Sequence, residues 1–150
     1  MNNKSLEHTG GVGQILIRWT PAIIMMLVIF LISAIPSSEL PKLKILDLVV
    51  KKGGHMMGYG FLALSFLRLF PSVSNRSILL ALFITIIYAA TDEWHQTIVP
   101  GRNGTLWDVG VDALGAGISL WLVQRWSWLR HIVYSGIISR MIFVRDTDRK

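Results

Sequence analysis

From Ser77 to Ala90 the chain carries no charged residue on any face of a helix. A water-facing helix needs a polar stripe, so this segment has to sit inside a protein or inside a bilayer. Thr20 to Ile35 poses the same problem. The whole chain is 52% hydrophobic and 16% charged, against about 25% charged in an ordinary soluble domain. Too little polar surface is available to cover a soluble bundle, whereas lipid requires none.

The expected fold is therefore all-α: an integral membrane bundle of four transmembrane helices in a single domain, residues 1–150, with a core at about 20–123. Residues 1–17 read as a flexible tail, polar and glycine-bearing from Met1 to Gly13. With no small-residue cleavage site behind it, the first helix is expected to be retained. The spans fall at Thr20–Ile35, about His55–Phe70, about Ser77–Thr91 with helix continuing to Gln96, and about Leu106–Val123. Each is near or just below the roughly 20 residues that cross the hydrocarbon core, so flanking residues complete the crossing. Pro36 to Lys52 reads as a loop, Pro71 to Asn75 as a tight turn, and Pro100-Gly101 and Asn103-Gly104 as turn signals. Residues 126–144 place Ser127, His131, Ser135 and Ser139 four apart on one polar stripe, which suits an amphipathic helix lying in the interface. A fifth span is the alternative, opposed by the cost of Arg130 and Arg140 in lipid. Trp94, Trp107, Trp121, Trp126 and Trp128 suit interfacial anchoring. Met25, Met26, Met56 and Met57 suit packing or lipid contact.

The formal net charge is +6. Its basic residues flank apolar runs and form no compact patch, so membrane lipids are the expected partners and nucleic acid is not. A homo-oligomer stays open. The absence of cysteine excludes disulfides and thiolate metal sites. Four spans put both termini on one side, with ten basic residues there against five opposite (Lys42, Lys44, Lys51, Lys52 and Arg102). The positive-inside rule then places the protein in the cell membrane, multi-pass, with both termini cytoplasmic.

Antiparallel alternation gathers the unusual polar residues at the other face. Lys52, His55 and Tyr59 open span two, Asp92, Glu93 and Gln96 close span three, Arg102 lies in the next loop, and Asp108 and Asp112 open span four. Spacings of three and four put each set on one helical stripe. Each stripe is expected to face inward, since an aspartate in mid-membrane lipid costs roughly 2.5–3.5 kcal/mol. Gly54 with Gly58, and Ala113 with Gly117, have the small-xxx-small spacing that lets helices approach.

In order, Lys52-Gly53-Gly54-His55-Met56-Met57-Gly58-Tyr59, Asp92-Glu93-Trp94-His95-Gln96, Gly101-Arg102, and Asp108 on a helix containing Gly115 resemble the VanZ-like family across about positions 20–123. The resemblance implies a small multi-spanning bacterial membrane protein of the cell envelope. The family's namesake is associated with resistance to the glycopeptide teicoplanin. It also implies a polar site at His55, Glu93, Gln96, Arg102 and Asp108. Asp112 departs from the asparagine often found there and adds a carboxylate.

Two functional readings follow. In one, the cluster is an active site: His55, Glu93 and Asp108 share acid and base roles, while Lys52, Tyr59, Asp92, Gln96, Arg102 and Asp112 bind substrate. Arg102 would hold a phosphate by its planar fork, and a lipid-linked cell-wall precursor fits a site open to headgroups. No cysteine and no Gly-x-Ser-x-Gly elbow is present, so an enzyme is neither required nor excluded. In the other, the cluster is a scaffold of ion pairs pinning three helices. A metal held by His55, Glu93, Asp108 and Asp112 is chemically conceivable. Without a His-Glu-x-x-His motif, no metal ligand is assigned and the cofactor is left unknown. His95 falls off the stripe and reads as an interface residue.

Overall fold

The computed structural model describes residues 7–36, 38 and 45–134, with side chains described for 16–36, 38 and 51–134. Its elements are five helices: α1 (Glu7–Ser33), α2 (Ile45–Leu67), α3 (Asn75–Gln96), α4 (Leu106–Arg125) and α5 (Ser127–Tyr134). No strand occurs among the described residues.

Two boundaries depart from the sequence expectation. α1 starts at Glu7 rather than after a tail ending at residue 17. Adding residues to a helix already nucleated in its apolar part costs far less than starting one. α2 starts at Ile45, inside the stretch read as a loop. Leu46, Val49 and Val50 recur at helical spacing there, and Lys51 and Lys52 are good helix formers that do not end a helix. The other ends are chemically marked. The side chain and backbone of Ser74 close a capping box with Ser77 at the start of α3. Thr105 caps α4 by accepting from the Asp108 amide. Trp126, in extended conformation at φ −114°, separates α4 from α5. Residues 135–144 of the expected interfacial helix lie outside the described residues.

Three helices are long and apolar enough to cross a membrane: α1 from Leu16 to Ser33, α3 and α4. α2 holds Lys51, Lys52, His55 and four glycines between positions 53 and 60, which lowers its apolar content. The membrane assignment is carried as much by what each helix hides. α3 buries Ser77, Ala81, Thr85, Ala89, Asp92 and Gln96, while Leu79, Phe83, Ile87 and Trp94 stay exposed. Polar and small inside, large and apolar outside, is the arrangement lipid favours and water does not.

α2 is the central helix. It packs most extensively on α4, and also on α3 and α1, with Tyr59, Leu62, Ala63 and Leu67 fully buried. The close approach of α2 to α4 runs through a different glycine pair from the one the spacing suggested. A Cβ on Gly115 would strike the Met56 backbone, and one on Gly60 would strike Ser119 Oγ. Gly58 instead faces Ile29 of α1 at ordinary contact distance, and nothing lies within 4 Å of a Cβ on Gly54 or Gly117. Ala113 and Gly117 line a shallow outward groove with Leu114, Ile118 and Trp121. Small residues permit approach on any face, so spacing alone does not say which face is used. At the far end, Tyr134 donates to the Leu67 carbonyl (3.1 Å) and so ties α5 to the C-terminus of α2.

Candidate functional site

The end of α1, the start of α2, the end of α3 and the start of α4 meet at one end of the bundle. Their polar side chains divide into three groups with different chemistry.

The first group is centred on Asp92 Oδ2. It accepts from Ser33 Oγ at 2.8 Å, Tyr59 Oη at 3.0 Å and Gln96 Nε2 at 3.2 Å. Ser33, Tyr59, Asp92 and Gln96 are all buried. One carboxylate oxygen therefore joins α1, α2 and α3. Tyr59, Asp92 and Gln96 were expected to bind substrate; their hydrogen-bonding groups face each other. Ser33 was not foreseen. The signal for it was topological: the end of the first span lies on the same face as the start of the second.

The second group rims the site. Lys52 Nζ donates to Asp108 Oδ1, and Asp108 Oδ2 accepts from Thr105 Oγ1 at 2.7 Å. Asp108 sits in the first turn of α4, where a negative charge also meets the positive end of the helix dipole. Lys52 and Asp108 are both partly exposed. Arg102 is spent differently from the expectation of a phosphate fork. Its Nε donates to the Ile35 carbonyl (3.0 Å) and its Nη2 to the Ile32 carbonyl (2.9 Å). It thereby ties its loop to the C-terminal end of α1 and the turn after it, where the Ile32 carbonyl also accepts from the Ile35 amide, and that loop turns at Gly101, φ 72°.

The third group is His55, Glu93 and Asp112. One nitrogen or oxygen from each lies within 4.8 Å of the others. His55 Nδ1 is 3.8 Å from Asp112 Oδ1, beyond hydrogen-bond reach. Glu93 is fixed from both sides: Oε1 accepts from Gln96 Nε2 (3.0 Å) and Oε2 from the Thr105 amide (3.0 Å). That amide belongs to the N-cap of α4, so Glu93 couples the end of α3 to the start of α4. Gly104 makes the coupling possible, because a Cβ there would collide with the Glu93 carbonyl. Asp112 is 1% exposed, and its Oδ2 has no hydrogen-bond partner; nor does Oδ1 of buried Asp92.

An apolar groove of about 160 Å³ runs between α1 and α2, with Met25, Val28, Ile29, Ile32, Gly54, His55 and Gly58 on its walls. His55 thus lies both on the wall of this apolar groove and beside the carboxylates. His95 lies apart from the triad, stacked on Phe30 with ring centroids 4.5 Å apart.

A family model described as VanZ/LLP1 matches residues 4–129. No curated protein and no solved structure matches the chain.

Proposed function

The chain belongs to the VanZ/LLP1 family, and we propose that it is a four-span protein of the cell membrane that engages the phosphate of a lipid-linked envelope precursor at its outer face. The observation that carries this reading is the shared wall at His55. An apolar groove on the flank of a membrane helix pair suits a lipid acyl chain. This one leads along α1 and α2 to a polar site ringed by Lys52, Asp108 and Arg102. A lipid whose chain lies in the groove brings its headgroup to that rim.

In this reading α2 is the remaining span. Its 23 residues rise about 34 Å, enough for a hydrocarbon core of about 30 Å. Trp94 and Trp107 are largely exposed at the site end, and Trp121, Trp126 and Trp128 at the other. The two groups form the aromatic belts of a spanning bundle. The excess of basic residues on the side of the termini supports an extracytoplasmic position for the site. We extend the proposal to glycopeptide resistance of the kind associated with the family's namesake, through altered access to such a precursor.

Lipid mass spectrometry on protein extracted gently from native membranes tests the reading. A phosphorylated lipid is expected to remain with the wild type in stoichiometric amount. Val28→Trp, which plugs the groove from its α1 wall and replaces no polar side chain, is expected to lose it. Wild-type protein that carries lipids only in the proportions of the bulk membrane overturns the reading.

The Asp92 group favours a second role for part of the cluster. Three buried donors from α1, α2 and α3 on one oxygen make a structural lock, so the scaffold reading applies to Asp92, Ser33, Tyr59 and Gln96.

A further inference from the structure

We propose that His55, Glu93 and Asp112 bind one divalent transition-metal cation, with zinc(II) the best match to their donors. The argument starts from charge. Glu93 and Asp112 are buried, as is Asp92 beside them, and taking a carboxylate out of water costs several kcal/mol even after relaxation. The rim cations are committed elsewhere: Lys52 to Asp108, and Arg102 to the carbonyls of α1.

Geometry points the same way. Two donors on one tetrahedral cation lie about 3.4 Å apart for bonds of about 2.1 Å. The triad's donor atoms lie within 4.8 Å, and His55 and Asp112 stand at 3.8 Å, an ion-pair distance longer than a hydrogen bond. A contraction of at most about 1.4 Å in the donor separations closes the set around an ion. Asp112 supplies the independent sign of a missing ligand: an oxygen without a donor on a side chain that is 1% exposed. Glu93 is held in place by Gln96 and the Thr105 amide, the kind of outer support that orients a metal ligand. Asp108, grouped with these residues on sequence spacing, is excluded by its bonds to Lys52 and Thr105.

An imidazole nitrogen with two carboxylate oxygens favours zinc over magnesium, calcium and manganese, which suit oxygen donors. Three protein ligands leave a tetrahedral ion one position for water or an anion oxygen. A cation here would also let a carboxylate-lined site accept a phosphate, although the metal site stands without the lipid reading.

The test uses full-length protein, delipidated in detergent, stripped with a chelator and checked for fold by circular dichroism and size exclusion. Equilibrium dialysis with elemental analysis is expected to return one equivalent of zinc in the wild type, no comparable binding of magnesium, and the same zinc content in Asp108→Asn. Asp112→Asn and His55→Ala, each removing a ligand, are expected to weaken binding about 100-fold or more, at or beyond the upper end for losing a mere supporting contact. Cobalt(II) on the wild type is expected to give the intense visible bands of a four-coordinate site, and this reading decides the matter if the variants do not fold. Absence of saturable zinc binding in the wild type, unchanged affinity in folded Asp112→Asn, or a preference for magnesium overturns the assignment.

Discussion

Gly115→Leu is expected to abolish the folded bundle. The position where its Cβ would stand is already taken by the backbone of Met56, and backbone atoms of a helix cannot rotate aside as a side chain does. Overpacking a close contact costs about 1–3 kcal/mol where side chains give way. Here α2 and α4 must separate, and their interface is the most extensive in the bundle. Gly115→Ala should already lower the thermal midpoint, measured by fluorescence-detected size exclusion in detergent. Gly117→Ala, with nothing within 4 Å, should leave it unchanged or raise it slightly, since alanine is the better helix former by about 1 kcal/mol. Equal tolerance at both positions would mean that α2 and α4 do not meet through Gly115.

Asp92→Ala is expected to destabilise the protein by several kcal/mol, because it leaves the buried Ser33 and Tyr59 hydroxyls without their acceptor, each worth about 1–3 kcal/mol, and leaves Gln96 Nε2 with Glu93. Ser33 on α1, Tyr59 on α2 and Gln96 on α3 all point to the same oxygen. Tyr59→Phe removes a single one of these bonds and should cost about 1 kcal/mol. Asp92→Asn separates two opposing effects. It keeps an acceptor oxygen while discarding a buried charge, so it should fall between wild type and Asp92→Ala if hydrogen bonding dominates. Denaturant unfolding of the four proteins gives the order. An Asp92→Ala protein as stable as wild type would remove Asp92 from its place as the lock between helices.

The gathering of the site was legible because it needs only alternation of direction and the helical repeat. Lys52, His55 and Tyr59 on one stripe and Asp108 with Asp112 on another had no other place to go. Pairing was legible only in part: Lys52 or Arg102 could have met Glu93 or Asp108, and the sequence did not choose between them. Lys52 chose Asp108, whose orientation is set by the cap at Thr105; the spacing Thr105-x-x-Asp108 was the available sign. Arg102 looked like an anion fork because a guanidinium in a polar cluster suggests one. Its partners are carbonyls of α1, which no side-chain pattern announces. Gly60 escaped notice, and Gly115 was marked only as part of the fourth helix, because neither belongs to a small-xxx-small pair the sequence had singled out. The early starts of α1 and α2 were hidden by glycines and lysines that polarity alone assigns to loops.

The chain has no cysteine, so single substitutions place a unique thiol at either end of the bundle. Asn103 and Ser72 are both exposed, in loops at opposite ends. With an impermeant maleimide on intact cells, Asn103→Cys should label at once and Ser72→Cys only after the membrane is opened. The reverse pattern would put the His55, Glu93 and Asp112 pocket on the cytoplasmic surface and contradict an outward-facing site.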